Sequence, residues 1–252
     1  MSAMDPLTPS SFNLHKVRLS NGRQYEYCNQ TPADYGHGKT PVMLLTHGFP
    51  GEVLCIELIP SWYMWRNQIG PWDKPHDVTC YTPLSIAADL EGLLDALDVK
   101  QPIIVGTHDW GAADAWSFTE RYPICVRMLV CVSIPYQPPF PRSFTVPEFV
   151  EFEGEDSVGY WLFLNEKDAG GIIDRNIPRF IDMWYRSHQT INPDFYKPGT
   201  AKGIMTGTIE SPGPTDLMSA KEREFYIEFF KANGLDAPTK YYKSTPERYA
   251  QK

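Results

Sequence analysis

A carboxylate lies at the sharpest turn that the sequence predicts, within "QPIIVGTHDWGAADAWSF" from Gln101 to Phe118. The apolar run before the turn predicts a buried strand, and the residues from Gly111 onward predict a helix. A tight strand-to-helix turn of this kind, a nucleophile elbow, exposes its central side chain at the end of a sheet, where the N-terminus of the helix favours negative charge. The central residue is Asp109. A carboxylate nucleophile attacks saturated carbon and forms an alkyl-enzyme ester.

The neighbours of Asp109 match an elbow in part. Gly111 is small, as the turn requires, whereas Thr107 is larger than the glycine usually found two places before the nucleophile. Taken alone, aspartate before a helix is more often an N-cap than a nucleophile. His108 is a potential base, but a side chain next to the elbow residue points away from it, and we interpret His108 as a packing residue.

A second turn favours the nucleophile over the cap. The segment "HGFP", His47 to Pro50, follows an earlier apolar run from Val42 to Leu45. In sheets that carry a nucleophile elbow, a turn at this place supplies backbone N–H groups that bind an oxyanion. Both elements occur in the required order, so we interpret Asp109 as a nucleophile.

The elements around these turns predict an α/β fold. The segment "KVRLSNGRQYEYCNQ" predicts a β-hairpin about Asn21–Gly22. A helix follows Thr82, which can cap it, and three apolar runs predict buried strands: "VMLL", "PIIV" and "VRMLVCV". Strands that alternate with helices predict a parallel sheet.

The composition changes near residue 140. From about Thr145 the chain is rich in aromatic residues, and its helical segments are interrupted by glycine and proline. The clearest helix is "MSAKEREFYIEFFKANGL", with Ser219 and Glu222 as a capping box and Gly234 as its end. We therefore predict a core over residues 1–140 and a second, helical region over 141–252.

The composition, the net charge and the cysteine pattern of the chain argue against several classes of function. The chain has 252 residues, 42% of them hydrophobic, and a formal net charge of −8, which argues against a nucleic-acid partner. Its five cysteines are scattered and form no metal-ligand or disulfide pattern. The segment "YGHGKTP" lacks a glycine that a phosphate-binding loop requires. With no secretion signal or membrane span, the expected protein is soluble and cytoplasmic.

The two motifs resemble those of a known family. "HGFP", "THDWG", "SWYMWRNQI", "DKPHD" and "VSIPYQPP" are similar to segments of the soluble epoxide hydrolases, and the likeness runs over most of residues 15 to 243. It implies an α/β-hydrolase-type parallel sheet with a helical cap, a small apolar epoxide and water as substrates, and no metal or organic cofactor. The motif residues that support both turns are His47, Gly48, Pro50, His108 and Gly111.

The resemblance also implies the roles of individual residues. Asp109 would attack the epoxide, and the backbone N–H groups of Phe49 and Trp110 would form the oxyanion hole. Two cap tyrosines would donate hydrogen bonds to the epoxide oxygen as it gains charge. The likeness places the first at Tyr160 and the second at Tyr242, since its neighbour Tyr241 lies where the family has tryptophan.

The chain departs from the family in three places. It stops at Lys252, before the histidine and carboxylate that would activate water, so we expect impaired turnover. The segment 51–60 resembles an insertion, and a central strand that would pair with the hairpin is expected to be missing, which leaves the sheet incomplete. An insertion beside a deletion, with an early stop, is what a wrongly spliced reading frame would produce. Sequencing of the transcript tests that hypothesis.

Two other functions are consistent with the sequence. A haloalkane dehalogenase uses the same aspartate but holds halide with tryptophan or asparagine side chains and needs no tyrosine pair. A non-catalytic remnant would be consistent with the missing histidine. The sequence does not determine the oligomeric state.

Overall fold

The computed structural model describes residues 8, 13–30, 41–50, 62–65, 74–137 and 142–250. The chain divides between residues 139 and 140 into two compact units, which are described separately. The change in composition near residue 140 lies at this division. The segment 51–60, which resembled an insertion, and the loop "YGHGKTP" lie outside the described residues.

The first unit contains a six-stranded sheet in its described part. Its strands are β1 (Leu14–Arg18), β2 (Gln24–Gln30), β3 (Met43–Thr46), β4 (Trp62–Trp65), β5 (Ile103–His108) and β6 (Val126–Val132). Their order in the sheet is β1-β2-β4-β3-β5-β6. The predicted hairpin is confirmed as the antiparallel pair β1–β2, and the parallel pairs β4–β3, β3–β5 and β5–β6 continue the sheet.

The strand β4 lies between β2 and β3, at the position where the sequence predicts a missing strand. This strand pairs antiparallel with β2 and parallel with β3. The expectation of a missing central strand is therefore wrong for the described sheet. Trp62–Trp65 lies within "SWYMWRNQI", the segment that resembles a family motif, and its aromatic residues also suit a strand. The backbone groups of β2 and β3 need partners, and this segment supplies them.

Two helices pack together in the first unit. The first, α1 (Pro83–Ala96), begins at Thr82, whose hydroxyl accepts a hydrogen bond from the Ser85 N–H at 3.3 Å. One apolar side of this helix is buried, since Ile86, Leu90 and Leu93 are each no more than 1% exposed. It contacts α2 (Trp110–Arg121), which follows β5 directly.

The expected burial of β6 on both faces is wrong for the described residues. Met128, Val130 and Val132 are 55%, 47% and 57% exposed. Among the described strands β6 pairs only with β5, at the edge of the sheet. An apolar run identifies a strand, but its burial depends on which elements cover it, and those are set by tertiary structure.

The described residues of the second unit form helices joined by turns. These helices are α3 (Val146–Glu153), α4 (Glu155–Val158), α5 (Tyr160–Leu164), α6 (Ala169–Asp174), α7 (Ile177–Trp184), α8 (Thr200–Thr206), α9 (Ala220–Asn233), α10 (Asp236–Lys243) and α11 (Thr245–Ala250). The capping box predicted for α9 is present, with Ser219 and Glu222 bonded reciprocally. Within the described part of the chain, none of the helices has both the length and the apolar composition needed to cross a membrane.

A buried carboxylate connects the hairpin to α1. Asp89, which is 1% exposed, accepts hydrogen bonds from Asn21 Nδ2 at 2.7 Å, from the Arg23 guanidinium and from the Tyr25 hydroxyl. Burial, together with the nearby Asp89 charge, raises the pKa of Tyr25 well above its usual value, so its hydroxyl remains a donor. A buried charge needs such partners, and here they come from the turn and the strand that follows it.

Asp89→Ala is expected to lower the free energy of unfolding by about 3 kcal/mol, because it leaves the Arg23 charge without its carboxylate partner. Denaturant unfolding followed by circular dichroism measures this loss. Asp95→Ala is the matched control on the same helix, since the Asp95 side chain is 65% exposed and pairs with an exposed lysine. We expect its effect to stay within about 0.5 kcal/mol. Equal losses in both variants would contradict the anchoring role of Asp89.

Candidate active site

Asp109 occupies a strained turn between β5 and α2. Its backbone angles are φ 54° and ψ −132°, a region that side chains other than glycine seldom adopt. The Asp109 N–H donates to the Val132 carbonyl at 3.2 Å, and the Asp109 carbonyl accepts from the Ala112 N–H at 2.8 Å. Such a conformation costs about 1–3 kcal/mol and persists only where the surroundings hold it. The predicted elbow is therefore present as a geometric feature.

Two backbone N–H groups hold one oxygen of the Asp109 carboxylate. Asp109 Oδ2 accepts from the Phe49 N–H at 2.9 Å and from the Trp110 N–H at 2.6 Å. Phe49 belongs to the turn after β3, and Trp110 is the first residue of α2. The two turns named from the sequence thus meet at this oxygen.

This arrangement suits a carboxylate that forms an ester. If the other oxygen, Oδ1, became bonded to carbon, Oδ2 would become the ester carbonyl oxygen between the same two donors. Attack on that ester would place negative charge on Oδ2, where preorganised N–H groups are most effective. The N-terminus of α2 adds a favourable field at the same point.

Glycine is required where the two turns approach each other. A Cβ atom on Gly48 would lie 2.0 Å from Asp109 Oδ2 and 2.3 Å from the Trp110 nitrogen. A Cβ atom on Gly111 would lie 2.8 Å from Thr46 Oγ1 and 2.9 Å from the His47 nitrogen. All four distances are shorter than a normal contact, so any larger side chain would separate the donors from the carboxylate.

Thr107 has a partner that the sequence did not reveal. Its hydroxyl accepts a hydrogen bond from the Thr46 hydroxyl at 2.8 Å, and the Gly111 carbonyl oxygen lies 3.3 Å from Thr46 Oγ1 as an alternative acceptor. Thr46 and Thr107 face each other in the β3–β5 register and are 2% and 5% exposed. The hydroxyl pair links the ends of the two strands that carry the turns, which accounts for threonine at a position where glycine is usual.

The motif histidines have different environments. His47 is 4% exposed, and its Nδ1 lies 3.1 Å from the Gly48 carbonyl oxygen. His108 is exposed at the end of β5, so its interpretation as a packing residue is wrong for the described residues. Pro50 is buried and follows a cis peptide bond. In the described part of the chain, no three His, Cys, Asp or Glu side chains form a group that could hold a metal ion.

In the second unit the two predicted tyrosines are in contact. The rings of Tyr160 and Tyr242 meet edge to face, with centroids 6.2 Å apart and planes at 73°. Tyr160 is half-buried at the start of α5, and Tyr242 on α10 is 2% exposed. The neighbouring Tyr241 is 6% exposed, so burial alone does not separate the two candidates. The ring of Tyr242 packs against Trp161, the residue after Tyr160.

Further aromatic residues surround Tyr160, and sequence reasoning missed them. Its ring lies near those of Trp184, at the end of α7, and of Phe195 and Tyr196, in the turns before α8. Neither segment carries a motif. In the sequence, only the high aromatic content of the region could have indicated these contacts, and a packed core has the same composition.

Comparisons with known proteins identify the relatives of this chain. It is 35% identical over 231 residues to epoxide hydrolase 2 of Siraitia grosvenorii, an alignment that covers 82% of this chain and 67% of that protein. It is 26% identical over 232 residues to bifunctional epoxide hydrolase 2 of Mus musculus, covering 84% of this chain and 40% of that one. The chain thus spans about two fifths of the length of the mouse relative.

A solved structure supports the same relationship. The crystal structure of epoxide hydrolase A from Mycobacterium thermoresistibile is similar with a TM-score of 0.70 at 25% identity, covering 94% of this chain and 76% of that one. This likeness confirms the predicted α/β-hydrolase-type fold. No protein-family profile matches the sequence.

Gly48→Ala is expected to displace the Asp109 carboxylate from its two N–H donors, with a loss of stability on the order of 1–3 kcal/mol from overpacking. Amide resonances of Phe49 and Trp110 in a nitrogen-15 correlation spectrum report the lost hydrogen bonds, and thermal unfolding reports the stability.

The control is Gly92→Ala on α1, where an added Cβ would meet nothing closer than Leu19 Cδ1 at 3.8 Å. That change should stabilise the helix by about 0.5–1 kcal/mol and leave both amide resonances in place. Unchanged Phe49 and Trp110 resonances in Gly48→Ala would argue against the close approach of the two turns.

Proposed function

Since the chain belongs to the epoxide hydrolase family, we propose that it opens an epoxide by attack of the Asp109 carboxylate on a ring carbon. The observation that carries the proposal is the pair of N–H groups, from Phe49 and Trp110, that donate to Asp109 Oδ2 at 2.9 and 2.6 Å. A residue that only capped α2 would need neither a strained backbone nor a donor from a separate turn. The chain spans only about two fifths of the length of the mouse relative.

The first step forms one bond and breaks one. Asp109 Oδ1 bonds to an epoxide carbon, and the carbon–oxygen bond of the ring breaks with its electron pair on oxygen. The developing alkoxide takes a proton from a phenol, the role that we assign to Tyr160 and Tyr242. Their direct ring contact supports this assignment, because two donors for one oxygen must lie side by side.

The second step would regenerate the carboxylate. Water attacks the ester carbonyl carbon, Oδ2 becomes the oxyanion between the Phe49 and Trp110 N–H groups, and the diol leaves as the alkyl oxygen is protonated. Water needs a general base for this attack. The resemblance to the family implies that this base is a histidine that follows the cap in the sequence. The histidines of this chain are at positions 15, 37, 47, 76, 108 and 188.

Treatment of the polypeptide of residues 1–252 with cyclohexene oxide is expected to add one alkyl group at Asp109. We expect the ester to accumulate, because no residue of this polypeptide matches the family's water-activating histidine. Intact-mass and peptide mass spectrometry measure the adduct and its position, and Asp109→Asn is the variant that should abolish it.

The control carboxylate is Asp95, which is exposed at the end of α1. Its replacement by asparagine should leave the adduct unchanged. An unmodified Asp109 in the folded protein would remove the proposed first step. Rapid release of diol would contradict the expected accumulation and would require a base among residues 1–252.

The two tyrosines are tested by removal of their hydroxyl groups alone. Tyr160→Phe and Tyr242→Phe are each expected to slow ester formation from cyclohexene oxide by about 100-fold or more, because each removes a donor from the oxygen that gains charge. The rate of adduct formation, followed by mass spectrometry, measures the effect.

Tyr241→Phe is the matched control, since Tyr241 is equally buried and adjacent on α10. It should retain the full rate. A loss of rate in Tyr241→Phe with no loss in Tyr242→Phe would assign the role of hydrogen-bond donor to Tyr241 instead. Full rates in both Tyr160→Phe and Tyr242→Phe, with rapid alkylation by a haloalkane, would favour the dehalogenase alternative.

A further inference from the structure

Tyr160 is enclosed by aromatic rings from separate segments of the second unit. Trp184 meets it edge to face at 5.5 Å, and Phe195 stacks on it at 6.0 Å with only 23° between the planes. Tyr196 and Tyr242 add edge contacts at 6.1 and 6.2 Å. A ring held on its face and along its edges cannot rotate about χ1 without displacing a neighbour.

The helical turns around Tyr160 fix its backbone but not its ring. The helix α5 follows α4 after the single residue Gly159, whose backbone is helical and whose N–H donates to the Glu155 carbonyl at 3.1 Å. A helical backbone leaves more than one rotamer open to an aromatic side chain. The position of the Tyr160 side chain must therefore be defined by its tertiary contacts.

The loop that carries Phe195 is built against the start of α5. A Cβ atom on Gly159 would lie 2.6 Å from both the nitrogen and Cδ of Pro198. This close approach brings the loop backbone against the residue that precedes Tyr160. Glycine at position 159 is thus required for the loop and α5 to meet.

The same loop has internal hydrogen bonds that give it a defined shape. The Asn192 side chain accepts from the Asp194 N–H at 2.9 Å, and the Asn192 carbonyl accepts from the Phe195 N–H at 2.9 Å. The Lys197 N–H donates to the Asp194 carbonyl at 2.9 Å. Phe195 is 5% exposed and also meets the ring of Trp184 edge to face.

We propose that Phe195 is a positioning residue, which acts through the Tyr160 hydroxyl by fixing the ring on which that hydroxyl stands. The inference rests on the proposed function, because it assumes that the Tyr160 hydroxyl donates to the epoxide oxygen. The phenol oxygen lies at the far end of the side chain, so a small rotation about χ1 moves it most. Misplacement of a catalytic group by about 1 Å can cost about 100-fold in rate.

Phe195→Leu tests the proposal, because leucine keeps the site apolar but removes the flat ring. The maximal rate of Asp109 alkylation by cyclohexene oxide is expected to fall by about 10- to 100-fold, with the half-saturating concentration changed less than twofold. Phe195→Tyr retains the ring and should retain the rate. Phe230→Leu is the matched control, a fully buried phenylalanine whose ring contacts are with Phe180, Tyr226 and Phe229.

A double-mutant cycle separates positioning from general loosening. In a Tyr160→Phe background the hydroxyl is already absent, so Phe195→Leu should cause no further loss of rate. An equal loss with and without the hydroxyl would overturn the proposal, as would a comparable loss in Phe230→Leu.

A spectroscopic readout keeps this inference separate from the proposed function. With tyrosine labelled by carbon-13 at Cζ, the Tyr160 resonance, assigned by its absence in Tyr160→Phe, should shift or broaden in Phe195→Leu and stay in place in Phe230→Leu. If the wild-type protein were not alkylated, the proposed function would fail while this measurement still tested the contact. An unchanged Tyr160 resonance in Phe195→Leu would overturn the positioning role.

Discussion

The hydrogen bonds from the Phe49 and Trp110 N–H groups to Asp109 Oδ2 are the interaction on which the first unit depends. They require that the turn after β3 and the start of α2 meet at one oxygen. The β3–β5 register provides this, since Thr46 lies opposite Thr107 and both strands end at the same edge of the sheet. Gly48 and Gly111 then remove the Cβ atoms that would keep the two turns apart.

These hydrogen bonds also offset the strain of the elbow. The positive φ of Asp109, with ψ at −132°, costs about 1–3 kcal/mol of backbone strain. A hydrogen bond to a charged group contributes about 1.5–3 kcal/mol, and Oδ2 accepts two. The strained conformation is therefore stable only while the residue is a hydrogen-bonding carboxylate or a close substitute. In the proposed reaction, the same two N–H groups that could stabilise an oxyanion would hold the Asp109 carboxylate in place before it attacks.

The parts of the structure that could be predicted from the sequence are those with local causes. The turn at Asn21–Gly22, the cap at Thr82 and the capping box at Ser219 each specify their element within a few residues, and each is present. The elbow and the turn after β3 were found because their chemistry requires small residues at fixed spacing.

The remaining features have non-local causes. The place of β4 depends on which backbone edges lack partners, and the exposure of β6 depends on which elements cover it. The contact between Phe195 and Tyr160 also has a non-local cause, because the two residues lie on separate segments of the chain. No pattern within the loop itself distinguishes a side chain that positions Tyr160 from one that fills space.

The two units fix their functional groups by different physical means, and this has a consequence for variation. In the first unit the donors are backbone N–H groups, so most side chains around them can change without moving them, provided that the glycines remain. In the second unit the proposed donors are the hydroxyls of Tyr160 and Tyr242, whose rings pack against other aromatic rings, so a single side-chain substitution could shift a hydroxyl. If the chain opens epoxides as proposed, the carboxylate chemistry should therefore tolerate variation in its surroundings, whereas preference among epoxides should respond to the aromatic residues around Tyr160.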